Sequence, residues 1–124
     1  MSDCGVCIYS DSEGDCTGYR CVIVKAGREW NCSECGKLIP KGTRYELASW
    51  FYPGESFGNC KTCIICAEIA DAFMCGGRWH GSSFWYEMER LFPKLTTSCF
   101  DRLKTPEAKQ ELRRRWLKWK GIPV

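Results

Sequence analysis

Asn59-Cys60-Lys61-Thr62-Cys63-Ile64-Ile65-Cys66 carries three thiols spaced three apart, and Cys32-Ser33-Glu34-Cys35-Gly36-Lys37 upstream carries two more. A closed tetrahedral site takes four ligands, so the upstream pair needs one further pair downstream. Helix phasing selects it. Cys66, Ile69, Ala70 and Phe73 recur at i, i+3, i+4 and i+7, one face of a helix. Thr62 is the expected N-cap, which puts Cys63 and Cys66 together in the first turn. There the positive end of the helix dipole stabilises thiolate. The alternative pair, Cys60 with Cys63, would start the helix at Cys60 with only Asn59 to cap it. The expected ligands are therefore Cys32, Cys35, Cys63 and Cys66, with 27 residues between the two pairs. Cys60 falls before the helix and is spare, or lent to another metal.

Outward from this stretch, Gly36 permits the left-handed turn that leads out of a Cys-x-x-Cys knuckle. Residues 38–52 read as a hairpin turning at Pro40-Lys41-Gly42. Residues 19–25 and 56–60 read as strands, and the first helix should stop at Gly76-Gly77. A second helix opens at Ser82 or Ser83, carries Phe84, Trp85, Met88, Leu91 and Phe92 on one stripe, and ends at Pro93. Residues 97–103 hold a short helical turn. The last helix has Thr105 as N-cap, Pro106 at its first position and Gly121 just past its end. Ala108, Leu112, Trp116 and Trp119 form its apolar stripe. The expected architecture is α+β: a small zinc-stabilised, treble-clef-like domain (knuckle, β-hairpin, helix) followed by two or three further helices. Residues 1–18 form a Cys-rich arm, 19–92 the zinc-binding domain and 93–124 a basic helical extension.

Eleven of the 124 residues are cysteine, a density that means disulfides or metal. The first residues have no basic start and no apolar core of a secretory signal, and no run is long enough to span a membrane. A cytoplasmic location follows as an expectation, and with it reduced, metal-binding thiols. Cys4, Cys7, Cys16 and Cys21 offer the donors of a second zinc site, which would explain an ordered Gly-rich arm; one zinc or two remains open. Cys75 and Cys99 read as small apolar core residues.

The charge is uneven. Residues 1–100 carry a net −2 and residues 101–124 a net +5. The single histidine, His80, cannot serve both as base and as metal ligand of a nuclease. A four-thiolate site has no open position for chemistry. Interleaved Cys/His pairs of a RING-type ligase are missing, and a reactive cysteine would lack a basic partner. The chain reads as a non-enzyme.

The run from the Cys32-x-x-Cys35-Gly36-Lys37 knuckle through Gly42-Thr43-Arg44-Tyr45-Glu46, Lys61-Thr62-Cys63-x-x-Cys66 and Phe73-Met74-Cys75-Gly76-Gly77 resembles small zinc-binding proteins of bacteriophages and prophages. The resemblance covers about residues 19–92 and implies the same four ligands. It also implies a phage origin, and the aromatic excess points to an accessory protein that binds a host or defence protein or nucleoprotein in the host cytoplasm, an anti-CRISPR-like inhibitor being one form. Candidate partner-binding residues are Trp50 and Tyr52 on the aromatic strand, and Arg113, Arg114, Arg115 and Lys118 on the last helix. The same basic helix offers a second reading, direct contact with DNA or RNA phosphates with Trp116 or Trp119 nearby for stacking. Docking of its stripe on the body, or pairing with another copy, stays open.

Overall fold

The computed structural model describes residues 4–8, 17–51, 57–75 and 84–122. The β-branched run after Gly18 forms β1 (Thr17–Lys25), and the aromatic run forms β4 (Arg44–Phe51). They pair antiparallel, Cys21 opposite Ala48 and Lys25 opposite Arg44, with a register shift between Thr17 and Arg20. β5 (Phe57–Cys63) adds to the other edge of β4, giving the order β1-β4-β5.

The turn at Pro40-Lys41-Gly42 forms where expected, but the strands it joins do not pair with each other. β3 (Leu38–Ile39) pairs instead with β2 (Trp30–Asn31), and the two close a small hairpin around the knuckle. Thr43 N–H donates to the Pro40 carbonyl at 3.1 Å, and Gly42 N–H donates to the Ala26 carbonyl at 2.8 Å. These bonds redirect the chain from the small sheet into the large one, so a contiguous polar-turn signal marks a junction between sheets.

Within the large sheet, Gly58 lies opposite Trp50. A Cβ on Gly58 would overlap the indole, reaching its Cε2 at 2.6 Å. Gly58→Ala should therefore cost about 1–3 kcal/mol by forcing Trp50 off its rotamer, read as a fall in the denaturant midpoint at unchanged m-value. An unchanged midpoint would show that the ring has room to move.

The helices pack a shared core. α1 (Ile64–Phe73) buries Cys66, Ile69, Ala70 and Phe73, the face read from spacing. α2 (Phe84–Leu91) buries Phe84, Trp85 and Met88, and a 3-10 turn (Phe92–Lys94) holding Pro93 ends it. A second 3-10 helix (Thr97–Arg102) buries Cys99. α3 (Pro106–Trp119) starts as its sequence dictates: Thr105 Oγ1 accepts from Ala108 N–H at 3.2 Å, Pro106 follows, and Gly121 takes a positive φ of 81° after the end. Glu68 on α1 locks this start, its carboxylate accepting from Lys104 N–H, Thr105 N–H and the Thr105 hydroxyl at 2.7–3.0 Å. Of the expected α3 stripe, Ala108 and Leu112 are buried, Trp116 is half-buried and Trp119 is exposed. Among the described residues no helix is long and apolar enough to cross a membrane.

Residues 4–8 form no helix or strand, as expected of the arm, but they are packed into the body. Cys4, Val6 and Ile8 are buried in the core, and Ile8 N–H donates to the Phe73 carbonyl at 2.7 Å. Arg102 donates to the Val6 and Cys4 carbonyls and lies over the Phe73 ring. Cys4 is disulfide-bonded to Cys99 and Cys7 to Cys75. This corrects three expectations. Cys99 lies in the apolar core as expected but is bridged, and Cys75 is bridged and exposed. The arm is held by sulfur-sulfur bonds, not by zinc. The expectation of reduced thiols does not hold for these four.

Candidate metal centre

Three elements bring the cluster together. The knuckle follows β2, and its Ser33 is stitched to β5: Ser33 N–H donates to the Lys61 carbonyl at 2.7 Å, and Lys61 N–H donates to Ser33 Oγ at 3.1 Å. That two-bond clamp holds the first cysteine pair beside the end of β5. Gly36 turns the chain out at a φ of 75°, its N–H donating to the Cys32 carbonyl at 2.9 Å. The helix start then supplies the second pair, one residue later than read from sequence. β5 runs to Cys63, and Cys63 itself is the N-cap, its sulfur accepting from Cys66 N–H at 3.5 Å. Thr62 stays in the strand, fully buried and opposite Glu46. A sulfur already at the helix mouth does the capping that a hydroxyl was expected to do.

The four sulfurs of Cys32, Cys35, Cys63 and Cys66 all lie within 4.8 Å of one another. Cys35 and Cys63 sulfurs are 3.8 Å apart. A tetrahedron of thiolates about 2.3 Å from a zinc ion has edges of about 3.8 Å, so the donor set and spacing fit such a metal. Cys60 sits elsewhere, buried on β5 opposite Ala48. Side chains alternate along a strand, so Cys63 and Cys60, three apart, face opposite sides of β5. The choice among the three thiols of the opening stretch falls on Cys63 and Cys66.

Donors converge on the sulfurs. Cys32 Sγ accepts from Cys63 N–H at 3.3 Å and Cys35 N–H at 3.5 Å. Cys66 Sγ accepts from the Trp85 indole N–H at 3.3 Å. Hydrogen bonds to charged sulfur favour thiolate. Crowding divides the protons among the four. Contact with Cys35, then Cys63 and Cys66, drives the Cys32 thiol far down. Cys35 is pushed up by Cys32 but pulled down by Cys63 and Cys66, and settles at about 7. Cys63 and Cys66 are driven up, chiefly by Cys32 and Cys35. Four neighbouring sulfurs cannot all be charged without a cation among them, and a divalent metal would supply it.

The surroundings tie the cluster to the helices. Glu34 of the knuckle accepts from Phe84 N–H at 2.9 Å, so the knuckle serves the N-terminus of α2. Lys37, two residues past the knuckle's second cysteine, donates to Glu111 Oε2 of α3 at 3.1 Å. Glu111 also accepts from Arg114 at 2.6 Å and Arg115 at 2.9 Å. Arg115 in turn lies over the Trp85 ring, 3.9 Å from its centroid. Glu111 and Trp85 are thus functional neighbours that sequence reading missed. Their partners lie 74 and 19 residues away and leave no local pattern.

Burial alone would raise the Glu111 carboxyl, but the bonds from Arg114, Lys37 and Arg115 outweigh it and hold its pKa at about 2. A depressed carboxylate contributes stability that is complete above the ordinary value of about 4.3 and is lost as pH falls toward the folded value. Lys37 and Arg114 side chains are 58% and 41% exposed, so solvent screening cuts the contribution to about 1–2 kcal/mol. Glu111→Gln should lower stability by that amount at pH 7 and by almost nothing near pH 2. Urea midpoints measured at the two pH values check this; an equal loss at both would assign the effect to packing.

Of the other expected site residues, Arg114 and Arg115 are committed to Glu111, while Arg113 and Lys118 are exposed. Trp50 is half-buried beside Gly58. Tyr52, His80 and Cys16 lie outside the described residues. Of the other donors of the expected second site, Cys4 and Cys7 are bonded to Cys99 and Cys75, and Cys21 lies on β1. Comparison with protein-family models, with curated proteins and with solved structures gives no match.

Proposed function

We propose that the chain is a zinc-stabilised, treble-clef-like binding module without catalytic activity, phage-encoded and acting on a host or defence protein or nucleoprotein in the host cytoplasm. An anti-CRISPR-like inhibitor is one form of this reading. The observation that carries it is the closed set of four sulfurs at the junction of β2, β5 and α1, each within 4.8 Å of the others. Zinc held by four thiolates has no position left for water or substrate, so its contribution is to folding. Cys32, Cys35, Cys63 and Cys66 would hold the ion, and Trp85 and the knuckle amides would orient the sulfurs.

In a reducing cytoplasm the pairs Cys4–Cys99 and Cys7–Cys75 would stand open, and the metal would be the remaining cross-link. The test is capture from infected cells with the zinc-loaded chain as bait, followed by reconstitution from purified components. A host protein that binds the purified chain directly in a fixed ratio is expected; capture that vanishes on nuclease treatment contradicts it.

Nucleic-acid binding through α3 is the second reading. It is favoured by the exposed cations Lys109, Arg113, Lys118 and Lys120, and weakened by the use of Arg114 and Arg115 within the fold. Retardation of random-sequence DNA with a steep salt slope would support it.

A further inference from the structure

One flank of α3 combines an apolar hollow with cations that the fold leaves uncompensated. Lys109, Arg113, Trp116 and Leu117 recur at i, i+4, i+7 and i+8. With Thr97 and Phe100 of the second 3-10 helix they enclose a groove of about 520 Å³. That is room for an anchoring side chain and its flanks. Lys109 and Arg113 are exposed, and among the described residues neither forms an ion pair. Lys120 joins them, its ammonium 3.8 Å from the centroid of the Trp116 ring. The opposite flank differs: there Arg114, Arg115 and Lys37 all pair with the Glu111 carboxylate. A carboxylate thus holds one side of the helix together, and the other side presents three cations around an apolar floor.

Resting on the reading of the chain as a binding module, we propose that this groove receives an acidic protein segment anchored by one apolar or aromatic side chain. The anchor enters between Phe100, Trp116 and Leu117, and its carboxylate neighbours meet Lys109, Arg113 and Lys120. Two other occupants fit less well. A second copy would bring the same patch against itself in a two-fold interface, opposing like charges. A nucleic-acid base needs an open aromatic face, but Trp116 already has Lys120 over its ring and Phe100 beside it, centroids 5.9 Å apart. Charge complementarity with an apolar anchor is the chemistry left.

A random peptide library displayed against the zinc-loaded full chain tests this. Enriched peptides should carry Asp or Glu on either side of a Trp, Phe or Leu. Binding of the best one, read by fluorescence anisotropy, should weaken about tenfold or more in Arg113→Glu and Leu117→Glu. It should not change in Lys118→Glu, on the other flank. A charge-reversed peptide, Lys for Asp and Glu, should regain affinity for Arg113→Glu. Arg113 is exposed, so that variant keeps the test valid if Leu117→Glu fails to fold; metal content and near-ultraviolet circular dichroism report folding. Peptides that bind but are not acidic, or that ignore the groove variants, overturn the groove and leave the binding-module reading standing. If no peptide is enriched, the groove proposal falls. If a single-stranded oligothymidine instead binds with loss in Arg113→Glu, both readings fall and the flank is a nucleic-acid surface.

Discussion

Removal of a metal from the four-sulfur site should unfold the domain. Chelation at neutral pH, or Cys66→Ser, should abolish cooperative unfolding and collapse amide dispersion in proton–nitrogen spectra, and re-adding Zn²⁺ should restore the chelated wild type. Structural zinc contributes about 10–16 kcal/mol of apparent folding free energy, as much as or more than the whole stability of a domain this size, about 5–15 kcal/mol. The geometry says why no other interaction takes over. A metal held by the four sulfurs would join the knuckle, the end of β5 and the first turn of α1, and from the knuckle Glu34 reaches α2 and Lys37 reaches α3. Without a cation, contact among the four sulfurs drives the Cys32 thiol down and the Cys63 and Cys66 thiols up, so they cannot all become thiolates together. Cys60→Ser is the matched control. Its sulfur lies outside the cluster, so metal content should not change. A chelated protein that keeps its dispersion would show the apolar core to be sufficient alone.

Opening the two disulfides is the second large effect. Cys4 and Cys99 are separated by 95 residues and Cys7 and Cys75 by 68. Loops of that length make each bond worth about 2–5 kcal/mol. Cys99→Ala or Cys75→Ala should lower the denaturant midpoint accordingly and speed amide exchange at Ile8, whose N–H is held by the Phe73 carbonyl. The segment should loosen without leaving, since Val6 and Ile8 stay in apolar contact and Arg102 still grips its carbonyls. Zinc content should not move, because none of the four bridged sulfurs belongs to the cluster. Peptide mapping of the non-reduced protein that finds these four thiols free, or paired otherwise, would contradict the assignment.

The legible parts of this fold share a physical character: each is local. Cys-x-x-Cys spacing announced the knuckle, helical period placed Cys66, Ile69, Ala70 and Phe73 on one face, and Thr105-Pro106 with Gly121 bracketed α3. What stayed hidden depends on partners far along the chain. The Pro40-Lys41-Gly42 turn looks like a simple hairpin because nothing nearby says that β3 will pair backwards to β2 and β4 to β1. Disulfide connectivity has no sequence signature, so Cys75 and Cys99 passed for apolar fillers. A short alternation, Cys4, Val6, Ile8, was the available sign that this loop enters the core, and an intervening glycine weakened it. The basic run Arg113-Arg114-Arg115 read as one surface, but helical geometry sends Arg114 and Arg115 to Glu111 and leaves Arg113 at the groove.

X-ray absorption at the metal edge of the purified full chain probes the four-sulfur site without intermediaries. The account predicts one metal per chain with four sulfur neighbours at about 2.3 Å and no nitrogen or oxygen in its coordination sphere. A sphere containing nitrogen or oxygen, or a folded chain that carries no stoichiometric metal, would contradict it.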